Sequence, residues 1–182
     1  RQLTTRLWFD MGVVVILQAL WFIWPAYTAN AFPSVMRGKR PIDGGRKLWN
    51  APLFGKSKTV EGTAGGIVFG IFIGLLQNQL VEYLPESLGL VHFSFPMIVM
   101  LSAGALLGDI LGSFIKRRAG AKPGKPVLLL DQLDFLIVAL LLVSLVYQVE
   151  LELAVLLIVL TPAIHFLTNV VGYAARLKKE PW

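Results

Sequence analysis

Cysteine is absent from the 182-residue chain, which excludes disulfides, thiolate metal sites and cysteine nucleophiles. Charge is scarce: Asp, Glu, Lys and Arg make up 15% of residues, against roughly 25% in soluble domains. There is no low-complexity tract, no long repeat and no polar segment large enough to fold alone. What the sequence has instead is apolar length. Hydrophobic residues reach 55% and the mean hydropathy is +0.67, and runs of around 20 apolar residues recur, each about enough to cross a ~30 Å hydrocarbon layer. The composition predicts an all-α, polytopic integral membrane protein with a single helical domain over residues 1–182.

Five transmembrane segments are expected, at about 8–31, 62–82, 94–115, 127–148 and 152–175. An odd number puts the termini on opposite sides, and cytoplasmic loops retain positive charge. Arg37, Lys39, Arg40, Arg46, Lys47, Lys56 and Lys58 lie in the first long loop, about 32–61; Lys116, Arg117, Arg118, Lys122 and Lys125 lie in 116–126; Arg176, Lys178 and Lys179 lie in the tail. Only Arg1 and Arg6 fall elsewhere. The intervening turns hold Glu82, Glu86, Glu150 and Glu152 and no cation. The N-terminus is therefore expected outside and the C-terminus in the cytoplasm. The first run, which carries Trp21 and Trp24, is too long for a signal-peptide core and is read as a permanent span.

A net charge of +6 and a pI near 9.8 favour anionic lipid surfaces or anionic ligands; no nucleic-acid partner is expected. Gly62, Gly66, Gly70 and Gly74 recur every four residues in the second span, and Gly104, Gly108 and Gly112 in the third. Such stripes let helices approach closely in lipid, which is read as tight packing of spans two and three or as a homodimer contact. Pro25 and Pro162 interrupt spans one and five.

Asp109, Asp131 and Asp134 fall inside apolar runs, where a central charge costs roughly 2.5–3.5 kcal/mol even on the lenient insertion scale. Asp109, Ser113 and Lys116 stand at i, i+4 and i+7, one helix face descending to the cytoplasmic rim beside Arg117, and Asp131 and Asp134 share a face at i and i+3. All three carboxylates are expected at a similar depth, able to converge. A hard-oxygen set without Cys or His suits Mg²⁺ rather than zinc, and Lys116, Arg117, Arg118, Lys56 and Lys58 are placed to clamp a polyphosphate. Carboxylates, metal and cations together describe a phosphoryl or nucleotidyl transfer site.

Gly55-Lys56-Ser57 matches the end of a P-loop, but Asn50 stands where its first glycine belongs and a transmembrane run follows. The turn at Lys58, Thr59, Glu61 and Thr63 remains a candidate phosphate-binding helix start, the alternative being an ordinary basic cap. His165, Asn169 and Tyr173 form another polar face at i, i+4 and i+8; Asn169 and Asn30 are candidate ligands, or packing residues.

The run Gly108-Asp109-Ile110-Leu111-Gly112-Ser113-Phe114-Ile115-Lys116-Arg117-Arg118, then Lys125-Pro126, then Leu130-Asp131-Gln132-Leu133-Asp134-Phe135 resembles the signature of membrane CTP-dependent cytidylyltransferases: S-x-x-K-R, a loop, then an aspartate pair. Phosphatidate cytidylyltransferases usually carry P-G-H-G-G before D-R-x-D; here Val127-Leu128-Leu129 follows Pro126 and Gln132 replaces the arginine. The shorter length, Pro41-Ile42-Asp43, the stretch Gly55 to Gly62, and the ending from His165 to Trp182 resemble the archaeal branch, the CDP-archaeol synthases, over nearly the whole chain.

The resemblance implies a cell-membrane enzyme of phospholipid biosynthesis that transfers CMP from CTP to 2,3-di-O-geranylgeranyl-glyceryl phosphate, releasing pyrophosphate. CTP, an isoprenoid lipid phosphate and the surrounding membrane lipids are its expected partners, with the active site on the cytoplasmic side. In this reading Asp109, Asp131 and Asp134 hold Mg²⁺ and act with Lys116 in catalysis, and Lys56, Lys58, Thr59, Glu61, Ser113, Arg117 and Asn169 bind substrate. Alternatives are a CDP-alcohol phosphatidyltransferase or polyprenol kinase, the former lacking its D-G-x-x-A-R helix here, and a small Mg²⁺ or ion transporter, against which the outer halves of spans three to five offer almost nothing polar.

Overall fold

In a computed structural model the described residues are 2–36, 38–122, 127–174 and 176, with side chains from residue 12 onward. Arg1, Arg37, Lys125, Lys178 and Lys179 of the basic inventory lie outside them, and the side chain of Arg6 lies outside them as well. The described chain is helical: α1 Gln2–Val35, α2 Val60–Val81, α3 Phe95–Arg118, α4 Leu130–Val143 and α5 Leu151–Ala174. Two small additions are a hairpin of β1 Lys47–Leu48 with β2 Ala51–Pro52 and a 3₁₀ turn at Glu86–Leu88. Segments within α1 (Gly12–Val35), α2, α3 and α5 are long and apolar enough to cross a membrane.

The fourth expected span differs. At 14 residues α4 is only about 21 Å long at 1.5 Å per residue. Its start is set by Leu129, whose φ of 65° cannot continue a right-handed helix. Its end is set by tightening turns in which Leu145 N–H donates to Leu142 O and Val146 N–H to Val143 O, with Ser144 Oγ–H donating to Leu141 O.

The glycine stripes explain the packing: the stripe of span two is seated on α3, as expected, and on α1 as well, while the stripe of span three is seated on α4. Along α2, added Cβ atoms would strike α1 at Gly66 (2.7 Å from Ala29 O), both α3 and α1 at Gly70 (2.5 Å from Ser102 Oγ and 2.8 Å from Pro25 O), and α3 at Gly74 (2.6 Å from Ile98 Cγ2). The α3 stripe is seated on α4: a Cβ at Gly104 would stand 2.7 Å from Ala139 Cα, and one at Gly108 2.7 Å from Phe135 Cα. Both stripes are thus filled within the chain. Helix α1 buries Ala19, Phe22, Ile23, Ala26 and Ala29, the i, i+3, i+4, i+7 spacing of one helix face.

Pro25 has no N–H to offer Trp21 O, the acceptor four residues before it. Gln77 of α2 supplies the replacement, its Nε2–H donating to Trp21 O at 2.9 Å, as lipid-embedded backbone requires. At the same end, Gln18 and Trp21 donate to Leu88 O and Val91 O, while Asn78 exchanges two 2.8 Å hydrogen bonds with the Phe93 backbone. Helix α5 joins α1 through Tyr27 Oη and Thr161 Oγ1, 2.7 Å apart.

Candidate active site

The opposite end of the bundle, where α2 and α4 begin and α3 ends, collects the charges. Asp43 organises the loop between α1 and α2. Its Oδ1 accepts from Gly45 N–H at 2.8 Å, and its Oδ2 from Phe54 and Gly55 N–H at 3.1 and 3.3 Å. Burial pushes this carboxyl up in pKa, and the three backbone donors outweigh it, leaving Asp43 below its ordinary value. The loop is then laced to α2: Ile42 N–H donates to Lys58 O, Val60 N–H to Arg40 O, and Arg40 Nε pairs with Glu61 Oε1 at 2.7 Å. Thr59 Oγ1 accepts from Gly62 N–H at 3.2 Å and caps α2. Thr59 and Glu61, expected at the substrate, are engaged in scaffolding that holds the start of α2 beside Lys58.

From that position Lys58 Nζ reaches both oxygens of Asp109, at 2.6 and 2.5 Å. A second pair joins Lys116 Nζ to Asp131 Oδ1, while Asp131 Oδ2 accepts from Val127 N–H at 2.7 Å and closes the turn into α4. Asp134 has neither kind of partner on its second oxygen. Its Oδ1 accepts from Phe135 N–H, and its Oδ2 is buried without a hydrogen bond. Asp134 lies within electrostatic reach of Asp109, Lys116 and Asp131. The three expected carboxylates therefore gather in one region.

They do not form a closed nest: among the described residues no three His, Asp or Glu side chains could already hold a metal ion. Two of the three are paired with ammonium groups instead, Asp109 with Lys58 and Asp131 with Lys116.

Ser113 and Arg117 are buried on the face of α3 one turn apart. The guanidinium of Arg117 keeps Nε and Nη1 buried without acceptors. Lys56 is exposed at the loop surface. Asn169 is buried on α5, with Nδ2 3.2 Å from Nδ1 of His165, and Asn30 is half-buried near the end of α1.

Arg118, expected among the cations around a polyphosphate, instead holds the loop. Its guanidinium donates to Leu48 O, Ala51 O and Pro52 O and lies 5.2 Å from the Phe114 ring centroid. It clamps the hairpin whose turn residues Trp49 and Asn50 both have positive φ, the signature of a type I′ turn. Sequence spacing gave no sign of this clamp or of the organising role of Asp43, because both act through backbone groups of a loop.

A bundle of apolar helices with carboxylates and cations assembled at one end has the makeup of an intramembrane enzyme that handles phosphate groups. Relatives of the chain define it further. A family described as CarS-like, CDP-archaeol synthase, matches residues 12–182. CDP-archaeol synthase of Pyrococcus furiosus is 44% identical over 169 residues, covering 92% of this chain and 98% of that protein, and the Halobacterium salinarum enzyme is 42% identical over 180 residues, covering 94% and 98%. A solved intramembrane enzyme for archaeal membrane lipid biosynthesis superposes with a TM-score of 0.74 at 36% identity, covering 85% of this chain and 94% of that one. The chain belongs to the CDP-archaeol synthase family. It is a multi-pass membrane protein and a CTP-dependent cytidylyltransferase of archaeal lipid synthesis.

Proposed function

We propose that the charged end of the bundle is where CTP and the lipid phosphate 2,3-di-O-geranylgeranyl-glyceryl phosphate react, on the cytoplasmic side of the membrane. The observation that carries this reading is a pair of unmet demands: a buried carboxylate oxygen on Asp134 without a donor, and a buried guanidinium on Arg117 with two donors lacking acceptors. Buried polar groups left unpaired cost about 1–3 kcal/mol each, more when charged, and Mg²⁺ with a triphosphate would satisfy both kinds. The donor set is of hard oxygens. Asp109, Asp131 and Asp134 would hold Mg²⁺, which supplies charge neutralisation on the CTP phosphates when bound.

The chain's own part is positioning. Lys58 and Lys116 release their carboxylates in favour of phosphate oxygens, Arg117 meets a further phosphate, and Lys56 meets CTP at the loop surface. Ser113, buried one helical turn from Arg117, and Asn169, buried beside His165, are assigned to substrate contacts. A lipid phosphate oxygen then attacks the α-phosphorus; the bond to the β-phosphate oxygen breaks and pyrophosphate leaves. A phosphate monoester is already anionic, so no protein base is needed, and catalysis is orientation plus charge neutralisation.

The same cations support an external N-terminus and a cytoplasmic C-terminus. Helix α4 is read as the fourth of five spans, its apolar flanks at Leu128, Leu129, Leu145 and Val146 extending its short length. Purified protein incubated with labelled CTP and the lipid phosphate, with and without Mg²⁺, tests this: CDP-lipid and pyrophosphate formed only with the metal support it, and undiminished product in excess chelator contradicts it.

A further inference from the structure

Asp134 is fixed at three points, and two of them are glycines of α3. Gly108 lies against its backbone: a Cβ there would collide with Asp134 O and stand 2.8 Å from its carbonyl carbon. Gly112 lies against its side chain: a Cβ there would overlap Oδ2, with Cγ at 2.7 Å and Cβ at 2.8 Å. The third point is Phe135 N–H, which donates to Oδ1 at 2.6 Å. One carboxylate oxygen is thus tethered and the other rests over a helix position with no side chain. That second oxygen is the buried, unpartnered one.

The remainder of the stripe behaves differently. A Cβ at Gly104, two turns away, would meet backbone first, Ala139 Cα and N and the Val138 carbonyl oxygen. Glycine weakens a helix interior relative to alanine, so each of these positions needs a reason. Close packing of α3 on α4 accounts for Gly104 and Gly108, but at Gly112 the neighbour is the carboxylate itself.

We propose that Gly112 is a positioning residue for the cytidylyl transfer: its missing side chain is the space in which Asp134 Oδ2 is held, aimed and kept free for a divalent cation. The inference rests on the reading of Asp134 as a cation ligand and adds a residue that does not touch the ion. Replacing Gly112 by alanine turns the Asp134 carboxylate away while leaving its charge, Asp109, Asp131 and both lysines in place.

The test is binding of Mn²⁺ together with α,β-methylene-CTP to full-length protein in nanodiscs, followed by electron paramagnetic resonance, beside the KM for Mg²⁺ in the transfer reaction. Gly112→Ala is expected to weaken Mn²⁺ binding at least tenfold and to raise the Mg²⁺ KM in step. Gly104→Ala, which perturbs the same helix pair, is expected to lower Tm yet leave Mn²⁺ affinity within about twofold. Equal losses in both variants would reduce Gly112 to a packing residue and overturn the proposal. Asp134→Asn separates the two levels: wild-type Mn²⁺ affinity there removes the ligand reading and this inference with it, whereas a weakened Asp134→Asn beside an unaffected Gly112→Ala removes this inference alone. Should Gly112→Ala not fold, the double variant with Asp134→Gly decides, since recovery of folded protein supports the steric relation and continued failure overturns it.

Discussion

Lys58 and Asp109, fifty-one residues apart in sequence, meet through two hydrogen bonds of 2.6 and 2.5 Å. The pair ties the start of α2 to the interior of α3 and keeps a carboxylate neutralised at a depth where charge is expensive. Under the proposed function this lysine exchanges a carboxylate for CTP. Lys58→Met is expected to raise the KM for CTP at least tenfold and to lower kcat less, as loss of a ground-state contact does. Steady-state kinetics with varied CTP at saturating lipid phosphate measures it, and an unchanged KM counts against the exchange.

The Lys116–Asp131 pair bears on a different property. Because Asp131 also accepts Val127 N–H, Asp131→Asn retains an acceptor for the α4 turn while removing charge. Folded, membrane-inserted protein is expected, with product formation reduced at least a hundredfold. A variant with more than half the wild-type rate would strike Asp131 from the metal ligands.

Asp43 gives a pH prediction. Its folded-state pKa is depressed, so its contribution to stability is complete above the unfolded carboxylate value of about 3.9 and is lost as pH falls through the lower folded-state value. Asp43→Asn is expected to lower Tm by the same amount at pH 7 and pH 5, the gap closing only below about pH 4. A gap that closed already near pH 6 would assign the effect to another group.

Arg118 holds three carbonyls of the hairpin. Arg118→Ala is expected to release it, making the bonds around Arg46 and Lys47 at least fivefold faster to cleave by trypsin while α3 stays intact. Unchanged cleavage would mean the hairpin stands without its clamp.

Much of this architecture was legible in the sequence. Apolar run length located α2, α3 and α5 to within a few residues, since a lipid-embedded segment announces itself through hydropathy. The short extent of α4 was hidden because the apolar run continues past both helix ends: Leu128, Leu129, Leu145 and Val146 are as apolar outside the helix as Leu136 and Leu140 are inside it. At the site, helical spacing placed Asp109 with Lys116 and Asp131 with Asp134, but the partner of Asp109 came from another helix start. Spacing along one element cannot show that Lys58 crosses to α3. Nor could it show that two glycine stripes of the same period have different neighbours, or that one glycine, Gly112, meets a carboxylate.

The most direct test of the account is metal-dependent transfer by Asp134→Asn set beside the wild type. With labelled CTP, the geranylgeranyl lipid phosphate and Mg²⁺, the wild-type protein is expected to yield CDP-lipid and pyrophosphate, and folded Asp134→Asn less than about one hundredth as much, a difference of about 2.7 kcal/mol in barrier. Wild-type turnover by that variant would contradict the account at its centre.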